Sequence, residues 1–134
     1  MSVPFDPYVL TRKCNEDLTG KEYHLVRPNG DDDITLTVET QLPIGALTND
    51  VGTGTASDPI YVPVQVGQII KVKCGGTITA GNLAGSDAAG KAKQVDGLHS
   101  GNANNHAFGI ALETYADGDV GAFLWAPSYL PYTP

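Results

Sequence analysis

The sequence predicts an all-β protein, and three observations carry that prediction. Sixteen of the 134 residues are glycine and nine are proline, a turn-rich composition that favours short strands. Apolar and polar residues alternate in several short segments, which is the two-residue period of a half-buried strand. No segment sustains the 3.6-residue period of an amphipathic helix.

The length of the chain and the prolines near both of its ends predict one domain with an extended segment at each end. A chain of 134 residues and 14.0 kDa suits a single hydrophobic core. We assign residues 1–20 to an N-terminal arm, residues 21–126 to a single β domain and residues 127–134 to a C-terminal tail.

The N-terminal arm is too apolar for a solvated tail. Pro4 and Pro7 flank Phe5 and prevent a helix from starting there. Such an arm docks either on the core of its own chain or on a neighbour, and the sequence leaves both open. The tail is also proline-rich and aromatic. The candidate contact residues of the two segments, towards a capsid or another subunit, are Val3, Pro4, Phe5, Pro7, Tyr8, Tyr129 and Tyr132.

The first predicted strands form a hairpin. Residues 22–27 read as one strand, and Ile34, Leu36 and Val38 alternate with polar residues in the next. Asn29-Gly30 between them predicts a type I′ turn, in which both central positions have positive φ. Residues 43–59 then form a long loop with one short extended piece near Ala46.

The second half of the chain predicts several further strands. Aliphatic side chains alternate with other residues over 60–66, which predicts a strand. Pro63 predicts that this strand lies at a sheet edge, because proline donates no hydrogen bond to a neighbouring strand. Residues 70–74 alternate next, and Gly90 marks a hairpin into a strand that ends at Val95. A polar loop spans 96–106. Two strands follow, at 108–112 and 120–125, and the last is apolar on both faces, as a central strand would be.

The charge of the chain argues against two classes of partner. The formal net charge is −7, with a net of −6 in residues 1–58 and −1 in residues 59–134. An acidic protein binds nucleic acid or an anionic membrane poorly, so we expect neither as a partner. No apolar run approaches the length of a membrane-spanning helix.

No chemical motif predicts an enzyme, a metal site or a cofactor. Cys14 and Cys74 lie outside any nucleophile motif, and we expect two buried, reduced thiols. The run from Asp31 to Asp33 lacks the alternate ligand spacing of a calcium loop and predicts a solvated hairpin tip. His99 and His106 could share a metal only with a third ligand, and the sequence offers none. The expected catalytic, cofactor and metal residues are therefore none.

Four motifs in the second half resemble those of a known family. They are Gly75-Gly76-Thr77-Ile78-Thr79-Ala80-Gly81, Ser86-Asp87-Ala88-Ala89-Gly90-Lys91-Ala92, Gly109-Ile110-Ala111-Leu112-Glu113 and Ala116-Asp117-Gly118-Asp119-Val120. In this order and spacing, residues 60–125 resemble the small decoration, or capsid cement, proteins of tailed bacteriophages. That stretch is about half of the chain.

The resemblance implies a β-barrel-like or β-tulip domain that forms a homotrimer at local three-fold positions on the outer capsid surface. It implies the major capsid protein as partner, synthesis in the host cytoplasm and a stabilising, non-enzymatic role. The alternative is a receptor- or glycan-binding module of a virion surface, with its site on the loops 43–59 and 96–106. The N-terminal arm is the expected main attachment element.

Overall fold

The computed structural model describes residues 8–30, 32–38, 41–95 and 106–129, and all of its regular structure is β. The all-β prediction is therefore confirmed. The ten strands are β1 (Tyr8–Cys14), β2 (Leu25–Asn29), β3 (Asp33–Leu36), β4 (Gly45–Leu47), β5 (Ile60–Val66), β6 (Ile69–Lys73), β7 (Leu83–Ser86), β8 (Ala92–Gln94), β9 (His106–Ala111) and β10 (Val120–Tyr129).

The first five strands form a closed barrel in the order β1-β3-β2-β4-β5. Strands β1 and β5 are antiparallel along their whole length, from the pair Tyr8↔Val66 to the pair Cys14↔Ile60. The contact on the other side of β1 is short, because β1 and β3 are in register at the single parallel pair Lys13↔Asp33. The barrel core contains Cys14, Leu18, Val26, Ile34, Leu47, Val62 and Val64.

The last five strands form a second sheet in the order β6-β10-β9-β7-β8. Its two outer strands approach each other, and Cys74, immediately after β6, makes a parallel bridge with Ala92 at the start of β8. This sheet curls around its own core, which includes Ile70, Val72, Phe108 and Phe123, and which takes in Leu25 and Ala46 from the barrel. The two β units therefore share part of one core.

Hydrogen bonds from the barrel cover the outer edge of β6. The buried side chain of Gln65 donates from Nε2 to the carbonyl of Lys71 at 2.8 Å, and the amide of Lys71 donates to Gln65 Oε1 at 2.9 Å. The amide of Lys73 donates to the carbonyl of Tyr23 at 2.8 Å. Away from β6, the amide of Leu25 donates to the carbonyl of Gly90, between β7 and β8, at 2.7 Å. One glutamine thus pairs with β6 as a neighbouring strand would.

Several expected elements are confirmed. The predicted hairpin exists as the antiparallel pair β2–β3, and Gly90 lies between the paired strands β7 and β8. The piece near Ala46 is β4. Strand β10 is central, between β6 and β9, because residues that are apolar on both faces suit a strand with neighbours on both sides.

The turn between β2 and β3 differs from the predicted type I′ turn. Gly30 has a φ of +87°, but Asn29 does not share a positive φ. Asn29 instead pairs with Asp33 as the last residue of β2, so residues 30–32 connect the strands. The pairing of Asn29 in the ladder keeps its backbone extended, and glycine alone supplies the left-handed conformation.

Parts of the segments that we assigned to the arm and the tail belong to strands. Tyr8 to Cys14 form β1, and Leu18 is fully buried, so the barrel includes residues that we assigned to the arm 1–20. At the other end, β10 continues past residue 126, and Ser128 pairs with Ala107 after a bulge. Sequence-local features could not show these pairings, because each partner strand lies far away in the chain. Residues 1–7 and 130–134 lie outside the described residues.

The expected edge position of β5 is also wrong, because β5 pairs with β1 on one side and β4 on the other. The barrel tolerates Pro63 because β4 ends beside it. The carbonyl of Pro63 accepts a bond from the amide of Thr48 at 3.4 Å, one residue beyond the last strand residue, Leu47. The position that lacks an N–H thus faces the end of a short strand.

Candidate interaction surfaces

The first surface is the N-terminal end of β1. Tyr8, Val9 and Leu10 are exposed consecutively, and Tyr8 is 74% exposed. Tyr8 and Leu10 pair with Val66 and Val64, so they lie on the side of the sheet that faces the barrel interior, at its open mouth. Three successive exposed apolar residues in one strand indicate a contact surface.

In the described part of the chain, this strand end also has no paired strand on its β3 side. The amide of Lys13 donates to the carbonyl of Asp32 at 3.1 Å, which shows that the odd-numbered residues of β1 direct their backbone groups towards β3. In the described part of the chain, β3 supplies a strand partner at Lys13 and none at Val9 or Thr11. An exposed strand edge of this kind can accept a further strand.

Ion pairs lie where the barrel closes. Lys13 Nζ is 3.3 Å from Asp32 Oδ1 and 3.5 Å from Asp33 Oδ1. Its hydrogen bond with Asp32 is the first cause that raises the pKa of Lys13. Asn15 Nδ2 also donates to Asp33 Oδ2. Asp32 is exposed, as expected of a hairpin tip, but Asp33 is half-buried and holds the barrel seam.

The second surface is the outer face of the second sheet. Ile69 pairs with Leu124, Leu124 pairs with Ile110, and Ile110 pairs with Leu83, so four aliphatic side chains cross four neighbouring strands in one row. These residues alternate with Ile70, Phe123 and the other core residues and therefore point away from the core. We define the outer face as Ile69, Leu83, Ile110, Leu112, Val120, Ala122 and Leu124.

Charged residues border this outer face. Lys71 pairs with Ala122 and Lys73 pairs with Val120, so both lysines share the face with the aliphatic residues. Leu112, Val120 and Leu124 are each at least 40% exposed. Exposed Glu113 and Asp119 adjoin Leu112 and Val120 in sequence, so the border of the outer face carries charges of both signs.

The titratable residues of the core, His24, Cys14 and Cys74, are buried, and burial shifts their pKa values. His24 is buried where the two β units meet, and its Nδ1 donates to the carbonyl of Glu22 at 2.9 Å. Burial is the first cause that lowers the pKa of His24, and Lys21, Lys91 and Lys73 lower it further by charge repulsion. Burial raises the pKa of the Cys74 thiol to about 11 and also raises that of Cys14. Both cysteines are free and buried, as expected.

The described residues include neither a cluster of metal ligands nor a helix that could cross a membrane. Within ranges 8–30, 32–38, 41–95 and 106–129, no group of three His, Cys, Asp or Glu side chains could hold a metal ion. His99, one of the two loop histidines considered above, lies outside these ranges. In the same part of the chain, no helix has the length and apolarity needed to cross a membrane.

The structure describes only some of the candidate contact residues. Tyr8 lies in the exposed end of β1, and Tyr129 pairs with His106 at the end of β10. Val3, Pro4, Phe5, Pro7 and Tyr132 lie outside the described residues. The sequence analysis missed the outer face, although adjacent apolar residues such as Ile69-Ile70 and Phe123-Leu124 were a signal that both faces of those strands are apolar.

Comparison with known proteins gives a match in structure and none in sequence. No protein-family model matches the sequence, and no curated protein matches it. The fold is similar to the crystal structure of the head fiber gp8.5 N base in bacteriophage phi29, with a TM-score of 0.70 and 21% sequence identity. The match covers 93% of this chain and 98% of the other. The likeness establishes that the two chains share a fold along nearly their whole length.

Proposed function

We propose that this chain is a structural protein of a bacteriophage virion that binds the outer surface of the capsid. The observation that carries the proposal is the fold shared with a phage head fiber base over 93% of this chain. The motifs in residues 60–125 that resemble capsid decoration proteins support the same class.

The proposed role extends to stabilisation by a homotrimer at local three-fold positions of the capsid. A protein of this kind acts by burying surface between neighbouring capsid subunits, and it needs neither a cofactor nor a metal. The exposed apolar residues at the β1 end and on the outer face supply such surface. The buried, free thiols suit synthesis in the host cytoplasm, where cysteines stay reduced.

The proposed capsid attachment is the β1 end together with the chain that precedes it. Tyr8 projects at the barrel mouth, and Val3, Pro4, Phe5 and Pro7 immediately precede it in sequence. Tyr129 and Tyr132 are proposed as secondary contacts. Burying one exposed aromatic side chain such as Tyr8 contributes roughly 1.5–3 kcal/mol, and three subunits multiply the effect through avidity.

Co-sedimentation with mature, undecorated capsids tests the proposal. We expect the protein to bind in stoichiometric amounts and to raise the temperature at which the capsids open. Removal of residues 1–7, or Tyr8→Ala, should weaken binding at least about tenfold per site. Val38→Ala is the matched control, because Val38 is an exposed apolar residue outside both surfaces.

Two results would contradict the proposal. Failure to bind capsids under any salt condition would exclude the capsid as partner. Saturable binding of an oligosaccharide on a glycan array, with no capsid binding, would favour the receptor-binding alternative instead. Full capsid binding by the chain lacking residues 1–7 would support the proposed function, but it would show that residues 1–7 are not the attachment segment.

A further inference from the structure

Two residues of β1 face the barrel interior and nevertheless remain exposed. Tyr8 and Leu10 pair with Val66 and Val64, and Val64 lies in the barrel core. Paired residues of antiparallel strands point to the same side of the sheet, so Tyr8 and Leu10 point inward as well. They are 74% and 42% exposed, so among the described residues this end of the barrel is open. Inward apolar side chains in contact with solvent indicate a surface that another group covers.

The apolar surface continues across this end of the barrel to the start of β4. Val66 and Ile44 are half-buried, and both pack against the barrel core. A Cβ at Gly45 would lie 3.1 Å from Val66 Cγ1, so Ile44, which precedes Gly45, lies close to Val66. We define the barrel mouth as Tyr8, Leu10, Ile44 and Val66.

The segment before Tyr8 supplies a side chain that suits the barrel mouth. Phe5 is one of three phenylalanines, and the other two, Phe108 and Phe123, are fully buried in the core of the second sheet. Among residues 1–7, the aromatic ring of Phe5 offers the largest apolar area to bury. Seven residues precede Tyr8, and at about 3.3–3.6 Å per residue they reach roughly 23–25 Å, far enough to meet a neighbouring copy.

The mouth of the same chain is a poor site for Phe5. To contact Leu10 of its own chain, Phe5 would need a reversal of the backbone between the two residues. Tyr8 and Val9 are held in β1 by their pairs on β5. Proline has a fixed φ and the residue before it favours an extended backbone, so the step Asp6-Pro7 disfavours a reversal as well. An extended segment that leaves from Tyr8 carries Phe5 away from its own mouth.

We propose that Phe5 of one copy docks in the barrel mouth of a second copy. Each copy has one such segment and one mouth, so the contact is heterologous, and its repetition closes a ring when the rotation between copies permits it. The inference rests on the proposed function in taking the homotrimer from it, and it assigns the parts that join the copies. Tyr8, at the rim of the mouth, then lies beside Phe5 of the other copy, so two copies together form the attachment surface at each β1 end.

Site-directed cross-linking tests which mouth receives the segment. One variant carries both Phe5→Cys and Leu10→Cys and is treated with a short thiol cross-linker, free in solution and on capsids. The native thiols are buried and do not compete. We expect products of two and three chain masses on a denaturing gel. The matched control replaces Leu10→Cys by Leu112→Cys, a position on the second sheet that is 46% exposed, and it should give no such products.

A double-mutant cycle measures the same contact without cross-linking. Phe5→Ala and Leu10→Ala should each weaken self-association in sedimentation at least about tenfold. The variant with both changes should be little weaker than either single variant, because both remove one contact. Circular dichroism checks that each variant keeps its fold, and Leu112→Ala should leave self-association unchanged. Fully additive losses from Phe5→Ala and Leu10→Ala would contradict the contact.

Three cross-linking results would overturn the inference. A product of one chain mass in which both introduced thiols are consumed would place Phe5 in the mouth of its own chain. A link from Phe5→Cys to the major capsid protein, without linked copies, would make the capsid the occupant's receptor. Absence of any link, both in free protein and on capsids, would leave the barrel mouth without Phe5 altogether.

The outcome is separable from that of the proposed function. Linked copies that do not bind capsids would support the contact between Phe5 and the barrel mouth and contradict the capsid role. Capsid binding by copies that never link to one another would support the capsid role and contradict the contact.

Discussion

The barrel and the second sheet differ in what surrounds the place where their outermost strands meet. Each has five strands, and each brings its ends together through one parallel pair, Lys13↔Asp33 in the barrel and Cys74↔Ala92 in the second sheet. The barrel seam is bordered by ion pairs near the surface, whereas Cys74 and Ala92 are both fully buried. One seam thus has ion pairs beside it and the other lies within a core, so we expect the two seams to differ in their sensitivity to salt.

The two units also expose apolar residues differently. The barrel exposes the end of a strand, Tyr8 to Leu10, which has no paired strand on its β3 side among the described residues. The second sheet exposes a face whose backbone groups are already paired. The first arrangement suits an extended partner segment, and the second suits a preformed surface.

The largest loss of stability is expected from Gly→Ala changes at positions where the added methyl group would clash with a backbone carbonyl. A Cβ at Gly45 would lie 2.2 Å from the carbonyl oxygen of Gln65, and a Cβ at Gly109 would lie 2.1 Å from that of Leu124. We expect Gly45→Ala in the barrel and Gly109→Ala in the second sheet each to cost roughly 3 kcal/mol. Gly76→Ala is the control, since nothing lies within 4 Å of a Cβ there.

Thiol labelling shows whether such damage stays within one unit. Cys14 lies in the barrel core and Cys74 in the core of the second sheet. Because the units share core residues, Gly109→Ala should speed labelling of both cysteines equally. Faster labelling of Cys74 alone would show that the units unfold independently.

The next effect concerns the buried glutamine that joins the units. Gln65→Leu removes both bonds to the backbone of Lys71 and leaves that amide and carbonyl without their side-chain partner. The expected loss is roughly 2–3 kcal/mol in the free energy of unfolding, measured with denaturant. Gln68→Leu, at an exposed position, should change it little. An equal loss of unfolding free energy from the two changes would show that the Gln65 hydrogen bonds make no net contribution to stability.

A smaller effect should follow the protonation of His24. The folded state lowers the pKa of His24, so below the unfolded value of about 6.5 the unfolded chain binds a proton that the folded chain resists. Stability from this group is therefore complete above pH 6.5 and declines as the pH falls. His24→Asn, which retains a donor for the carbonyl of Glu22, should reduce this decline in thermal unfolding curves. An unchanged decline would assign it to other groups.

The smallest effect is expected at the barrel seam. Lys13→Met removes the ion pairs with the exposed Asp32 and the half-buried Asp33, and it should lower stability slightly at low salt and less at high salt, because salt screens such pairs. Ala92→Ser at the buried seam of the second sheet should instead be insensitive to salt. A salt-independent loss from Lys13→Met would mean that packing of the lysine stem holds the seam.

Local pattern was enough to identify most strands. Alternation in residues 60–66, 70–74 and 108–112 reflects side chains that point to opposite sides of a strand, a property of the strand itself. The hairpins around Gly30 and Gly90 also follow from nearby residues, because glycine readily adopts the left-handed backbone that those turns use. The all-β class and the buried thiols were determined by the sequence in this direct sense.

Long-range pairing was decided only by the tertiary structure. Tyr8, Val9 and Leu10 show no alternation in burial, because both sides of that strand end are exposed, and their membership of the barrel depends on β5 more than fifty residues away. The outer face arises in the same way: Leu83, Ile110 and Leu124 form a row through strand register alone. Register is set by the packing of all strands together, so the sequence determined which residues are apolar, and the tertiary structure decided which of them share a surface.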